Sequence, residues 1–289
     1  MAPISEKEIP FESGKGYKAD KVGVENIAKG FEHPHKIPSF TSAVDERKWV
    51  LEHMAGAFRI FGRYGYAAGS AGHISVKDPV EEGTFWINPL NKHFSLMKVS
   101  DLVHIDEQCN VLKDGNQAAV NAAGFFIHAA LHRARPDVKA ICHTHSIHGK
   151  AFSGFGKKLD MVNQDVCILY KRHSVYKDFG GVAYDEKEGE EIVDALEPGS
   201  VAMILQNHGL LTLGSTVDEA AALFILTENS CQAQLLMDAA TASGKKKQII
   251  PDDVAEYTCK TTGDPESMYA EFQPDYELEL ELTNGAFLK

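Results

Sequence analysis

The stretch from Ala140 to His148, AICHTHSIH, holds the residues best suited to chemistry in this chain. An apolar run, Val138 to Cys142, leads into His143-Thr144-His145. Alternate side chains on a strand point to the same side, so His143 and His145 would present two imidazoles to one point, their Cα atoms about 7 Å apart. That reach suits two ligands of one metal ion, whose bonds to imidazole nitrogen are about 2.0–2.1 Å. A third histidine has a similar setting. Val201 to Leu205 is a second apolar run, followed at once by Gln206-Asn207-His208-Gly209. His208 is thereby expected in a turn at a strand end, where α/β sheets hold their ligands. Three neutral imidazoles with an open fourth position form the pattern of a catalytic zinc centre.

The other histidines read differently. His33 and His35 share the alternate spacing, but Pro34 and Pro38 break any strand there, which makes them loop residues. His93 and His104 are expected to be structural or exposed. His128 and His132 are one helical turn apart, a spacing that can bind zinc, but no Glu follows His128 and a structural role is the simpler reading.

The elements that must position these residues follow from the pattern along the chain. Residues 1–38 are rich in Lys, Glu, Gly and Pro without a sustained period, and read as an extended arm ordered against another subunit. A helix opens at Thr41 or Ser42, with Asp45 and Glu46 at its positive end, and closes at Gly62 to Gly65. The small-residue loop Ala67 to Gly72 runs into a short strand, His73 to Lys77, and can bring backbone N–H groups close to an anion. Phe85 to Asn88 and Leu102 to Asp106 read as strands, the latter turning through Cys109-Asn110 into Val111-Leu112. Asn121 to Arg135 is a helix stopped by Pro136, Phe152 to Gly156 a flexible turn, and Asp185 to Ala195 an acidic helix. A long helix spans 217–243, and residues 39–243 form one domain. Residues 244–289 are an extension whose alternating Tyr276-Glu277-Leu278-Glu279-Leu280-Glu281-Leu282 reads as a strand for subunit contact.

Bulk properties narrow the classes of function. Across 289 residues the net charge is −12, so nucleic acid and anionic membranes are not expected partners. No apolar run approaches the roughly 18 residues of a membrane span, and the polar N-terminus lacks a signal-peptide core, which implies a cytoplasmic protein. Five widely spaced cysteines without a CxxC pair fit reduced thiols rather than a disulfide framework.

Three separated motifs in order carry a family resemblance: Arg133-Ala134-Arg135-Pro136-Asp137-Val138, then His143-Thr144-His145-Ser146, then Asn207-His208-Gly209-Leu210-Leu211-Thr212-Leu213-Gly214. Together they resemble the class II aldolase/adducin family over roughly residues 41–243. The resemblance implies a single α/β/α three-layer domain with a mainly antiparallel central sheet. It also implies a homo-oligomer, often a tetramer, with sites at subunit interfaces, and a divalent metal, usually zinc, on His143, His145 and His208. Two departures stand out. The catalytic Glu of the sugar-phosphate aldolases falls at Gly124. Their phosphate-binding Ser-Ser, Gly-Asn and Thr-Gly pairs fall at Ala122-Ala123, Gly72-His73 and Leu90-Asn91. A phosphate needs several aimed donors to offset its desolvation, so a non-phosphorylated ligand is expected. Gly72, His73, Ser75, Asn88, Asn91 and Gln164 are the candidates to bind it.

The expected function is a metal-dependent lyase, cleaving an aldol or decarboxylating a small hydroxy-carbonyl or keto acid through a metal-stabilised enediolate. Its acid can come from His73, Tyr170, Tyr176, Tyr184, Tyr269 or Tyr276. The alternative is a catalytically inactive adducin-like assembly or binding module, which the missing Glu would fit. A sugar-phosphate epimerase is the weakest reading, because it needs both the phosphate site and an acid/base pair.

Overall fold

Period-two patterning along the central strands decides which helices cover which side of the sheet. The structure, a computed structural model, describes residues 11, 12, 14, 16–19, 21, 23–181 and 187–289. Its elements are β1 (Phe11–Glu12), β2 (Lys18–Ala19), α1 (Val24–Ile27), α2 (Ala43–Arg63), β3 (His73–Lys77), β4 (Thr84–Ile87), β5 (Val103–Asp106) and β6 (Val111–Gly115). They continue with α3 (Ala122–Ala134), β7 (Ala140–Thr144), α4 (Ile147–Ser153), β8 (His173–Tyr176), α5 (Lys187–Ala195), β9 (Ala202–Leu205) and β10 (Gly209–Gly214). Three helices close the chain: α6 (Val217–Thr241), α7 (Asp252–Thr262) and α8 (Pro265–Thr283).

Eight strands form one sheet in the order β6-β5-β4-β3-β7-β10-β9-β8. Every pairing is antiparallel except that of β8 with β9. On β7, Ala140 and Cys142 face a core shared with α2, α6 and α8 (Phe58, Phe61, Phe224 and Phe272). Ile141, one residue out of phase, faces a second core with Ile127 and Leu131 of α3 and Ile192 of α5. Phe85, Ile87, Val103 and Ile105 extend that side against Phe125 and Ala129 of α3. The result is the expected α/β/α arrangement, a mainly antiparallel sheet between two helical layers. Among the described residues no helix is long and apolar enough to cross a membrane.

The helix caps follow their chemistry. Ser42 caps α2 by accepting from the Asp45 N–H, and Asn121 caps α3 by accepting from the Gly124 N–H at 3.1 Å. Two expectations are corrected. The segment Tyr276 to Leu282 is the second half of helix α8, not a strand. Met268, Phe272 and Tyr276 recur at helical spacing and are buried in the chain's own core, while Glu and Leu favour the helix in between. Its period-two alternation leaves Leu278 and Leu282 exposed, which a packed strand face would not. Likewise Phe152 and Ser153, expected in a turn, are the last residues of α4, which starts right after the His145 loop, and the chain turns only from Gly154.

Candidate metal centre and active site

The three histidines arrive from strand β7 and from the β9–β10 hairpin beside it. His143 lies on β7, opposite Leu211 of β10 on one side and His73 of β3 on the other. His145 follows the end of β7, and His208 sits in the turn joining β9 and β10. That turn is fixed by Asn207 in the left-handed region at φ 59°, where asparagine is tolerated, and by the His208 N–H donating to Leu205 O at 3.0 Å. Gly209 completes it, since a Cβ there would lie 2.8 Å from Thr144 O and push the hairpin away from β7. One ligand atom from each of His143, His145 and His208 lies within 4.8 Å of the others, and the ring centroids are 4.8–5.2 Å apart.

Tautomer and charge are set locally. His143 Nδ1 donates to Leu210 O at 2.8 Å, which leaves Nε2 with a free lone pair. Burial, then the neighbouring His73, His208 and His145, hold the His143 pKa well below the usual histidine value. Burial and His145 push His208 down to about 4, and burial with Lys150 lowers His145. Three neutral imidazoles with inward lone pairs are the donor set a divalent first-row metal takes.

The three histidines open on a cavity of about 380 Å³ lined also by Gly72, His73, Gly124, His128, Lys150 and Phe179. Behind it runs a chain of hydrogen bonds with one direction. His132 Nδ1 can only donate to Val138 O, at 3.4 Å, so its Nε2 accepts from the Ser75 hydroxyl at 2.9 Å. Ser75 Oγ therefore accepts from His128 Nδ1 at 2.7 Å, and His128 Nε2 accepts from His73 Nδ1 at 2.8 Å. His73 Nε2 is left as an acceptor. It occupies the space beside Gly124, where a Cβ would collide with it. Burial and His128 keep His73 well below the usual histidine value.

The structure separates the sequence candidates. Gly72 and His73 line the cavity; Ser75, Asn88, Asn91 and Gln164 do not. Ser75 is fully buried beneath His128 and His132 because α3 covers its face of β3. Asn88 is buried and donates to Gly72 O at 3.4 Å, supporting the loop from behind. Asn91 and Gln164 are exposed on surface turns. Of the tyrosines, Tyr176 donates to Glu191 at 2.9 Å, and Tyr269 and Tyr276 stack near His53 in the α2–α8 core. Tyr184 lies outside the described residues. Sequence reasoning missed Asn121, Lys150 and Asn207 in the lining. It also missed Glu228 of α6, a buried carboxylate whose signal was an acid in the apolar middle of a helix. Glu228 accepts from Ser146 Oγ at 2.5 Å, from the His148 N–H at 2.9 Å and from the Gly149 N–H at 2.7 Å, pinning the loop that carries His145.

Residues 52–235 match the model of the class II aldolase and adducin N-terminal domain. The chain is 46% identical over 249 residues to the meiotically up-regulated gene 14 protein of Schizosaccharomyces pombe, covering 86% of this chain and 96% of that protein. It is 39% identical over 252 residues to decarboxylase NovR of Streptomyces niveus, covering 87% and 91%. Among solved structures it superposes on an L-fuculose 1-phosphate aldolase from Glaciozyma antarctica PI12 with a TM-score of 0.80 and 39% identity, covering 88% and 97%. With the family's model matched over residues 52–235 and relatives of 39–46% identity covered over most of their length, this chain belongs to the class II aldolase and adducin family.

Proposed function

We propose that this protein is a metal-dependent lyase that breaks a carbon–carbon bond in a small, non-phosphorylated hydroxy-carbonyl or keto acid. The observation that carries the reading is the convergence of His143, His145 and His208 on one cavity, with the His143 lone pair fixed by Leu210 O. These three residues would hold a divalent ion, zinc in our reading. Bound there, it would act as a Lewis acid that stabilises negative charge on a substrate oxygen.

The protein's own residues supply the rest. His73 Nε2, an acceptor at the end of the relay, receives a substrate hydroxyl and orients it beside the three histidines. The positive end of α3 opens on the cavity, and Lys150 lines it from α4; both favour a substrate carboxylate. Ile127, Leu205, Leu211 and Phe179 form an apolar wall for the remainder of the molecule and exclude water. Two relatives of equal identity carry names that point to different reactions, decarboxylation and sugar-phosphate cleavage. Gly124 favours the first, because the carboxylic acid that serves sugar-phosphate aldolases has no counterpart there and its space is filled by His73. We further place the protein in the cytosol as a homotetramer, with residues 244–289 as a subunit-contact extension. Its described cysteines are free thiols.

Elemental analysis of purified protein, beside the His145→Ala variant, tests the centre. About one equivalent of a divalent metal is expected at the three histidines of the parent, and the variant is expected to hold one equivalent less. Carbon dioxide release is then measured with β-keto and hydroxy acids against cleavage of fuculose 1-phosphate. Turnover that survives complete removal of metal, or preferred cleavage of the sugar phosphate, would overturn the proposal.

A further inference from the structure

On the opposite face of the sheet lies a second histidine with an unfinished coordination shell. His104 of β5 pairs with Trp86 of β4, Trp86 with Val76 of β3, and Val76 with Ala140 of β7. Directly opposed residues share a face, so His104 lies on the Ala140 side, away from His143. Its imidazole is fully buried and stacks on Trp86 with centroids 4.5 Å apart and planes 6° apart.

The proton on this ring can be placed. Thr84 spends its only proton on Glu81 O, at 2.7 Å, so Thr84 Oγ1 must accept from His104 Nε2, also at 2.7 Å. Asp78 Oδ2 lies 3.1 Å from the same nitrogen. The other ring nitrogen, Nδ1, is buried and has no hydrogen-bond partner. It faces Asp114 Oδ2 at 3.9 Å, too far for a hydrogen bond. Glu81, from the loop before β4, completes a group of three ligand atoms that all lie within 4.8 Å of one another. Asp78 is neutralised by a two-pronged pair with Arg47 of α2, whose third nitrogen stands 3.6 Å from Asp114. Against the one guanidinium stand three carboxylates, so two negative charges remain around an uncommitted nitrogen.

We propose that His104, Asp114 and Glu81 form a second divalent-metal site, independent of the cavity and of the lyase reading. One imidazole and two carboxylates suit a first-row ion such as Mn²⁺, Fe²⁺, Co²⁺ or Zn²⁺ better than the all-oxygen shells of Ca²⁺ and Mg²⁺. The ion supplies the positive charge that Nδ1 and the two carboxylates face, and it ties β6, an edge strand, to β5 and to the loop before β4. Asp114 and Glu81 are exposed, so an ion enters from solvent without unfolding the strands.

The test titrates metal-free full-length protein with Co²⁺ alone, by equilibrium dialysis and tryptophan emission. Trp86 is one of only two tryptophans and stacks on the proposed ligand, so its emission is quenched as the site fills. The His145→Ala/His208→Ala variant is expected to keep one equivalent with that quench. Asp114→Asn and Glu81→Gln, both surface changes, are expected to weaken it tenfold or more. In the unmutated protein the same two changes lower the bound metal from two equivalents to one. Co²⁺ binding unchanged in Asp114→Asn overturns the proposal. So does nitrogen NMR showing both His104 nitrogens protonated with Zn²⁺ present, because a buried imidazolium between Asp78 and Asp114 would then explain the cluster.

Discussion

At the scale of the residue, the decisive pair is Gly124 and His73. Adding one methyl at position 124 meets His73 first, forcing it aside and breaking its bond to His128, rather than the three converging histidines. Gly124→Ala is therefore expected to lower kcat/KM for the physiological reaction tenfold or more, about 1.4 kcal/mol of transition-state stabilisation, with metal content unchanged. Ser75→Ala should act in the same direction, since without its hydroxyl nothing fixes which His73 nitrogen carries the proton. Steady-state kinetics with elemental analysis of each variant checks both; a fully active Gly124→Ala protein would remove His73 from the reaction. The three histidines were legible because strand alternation and a strand-end turn are local rules. The role of Ser75 was not. Whether a polar side chain on β3 meets ligand or helix depends on α3, some fifty residues away, which no spacing within the strand reveals.

Elements turn that local chemistry into a fixed site, and α4 with α6 shows how. The His145 loop is held because Glu228, from the middle of α6, receives the first N–H groups of α4 and the hydroxyl of Ser146 in a buried pocket. Glu228→Ala leaves those donors without partners, which costs on the order of 3 kcal/mol. It also frees the His145 backbone, so metal affinity should fall by roughly 10–100-fold, as for other outer-shell groups of metal ligands. Urea unfolding and chelator competition measure the two effects. Metal affinity equal to that of the parent would mean that the strand alone positions His145. Most elements here were readable from sequence: the cap at Ser42, the helix starting near Asn121, the long helix from Val217 and the apolar strands all follow short-range rules. The tail of α8 was not, because YELELEL satisfies the strand period locally. Helix wins through Met268, Phe272 and Tyr276, whose burial against α2 and α6 is a tertiary effect.

Across the whole molecule, seven of the thirteen histidines are buried, and this distribution should make the fold sensitive to mild acid. His132 and His173 show the cause away from the three converging histidines. His132 Nε2 accepts from Ser75 and His173 Nε2 accepts from the Leu159 N–H at 3.0 Å, so protonating either ring breaks a buried hydrogen bond. Burial pushes His132 down to about 3 and lowers His173 as well. An unfolded histidine titrates near 6.5, so between that value and the folded one the unfolded chain binds the extra proton. Stability is then fully present above pH 6.5 and is lost as the pH falls through 6 and 5 towards the folded value. At pH 5 the loss from His132 alone is about 2 kcal/mol. Buried Glu219, whose pKa is raised by burial, works in the opposite sense, so the difference between two proteins is the cleaner measure. His132→Gln destabilises at pH 7.5, because it disturbs the Ser75 relay, but it carries no acid penalty. Unfolding free energies from urea titration of the metal-free parent and His132→Gln should therefore converge by about 2 kcal/mol between pH 7.5 and 5. Parallel curves over that range would show that His132 binds its proton equally in the folded and unfolded chains, and the direction assigned to the hydrogen-bond chain behind His73 would fall with it.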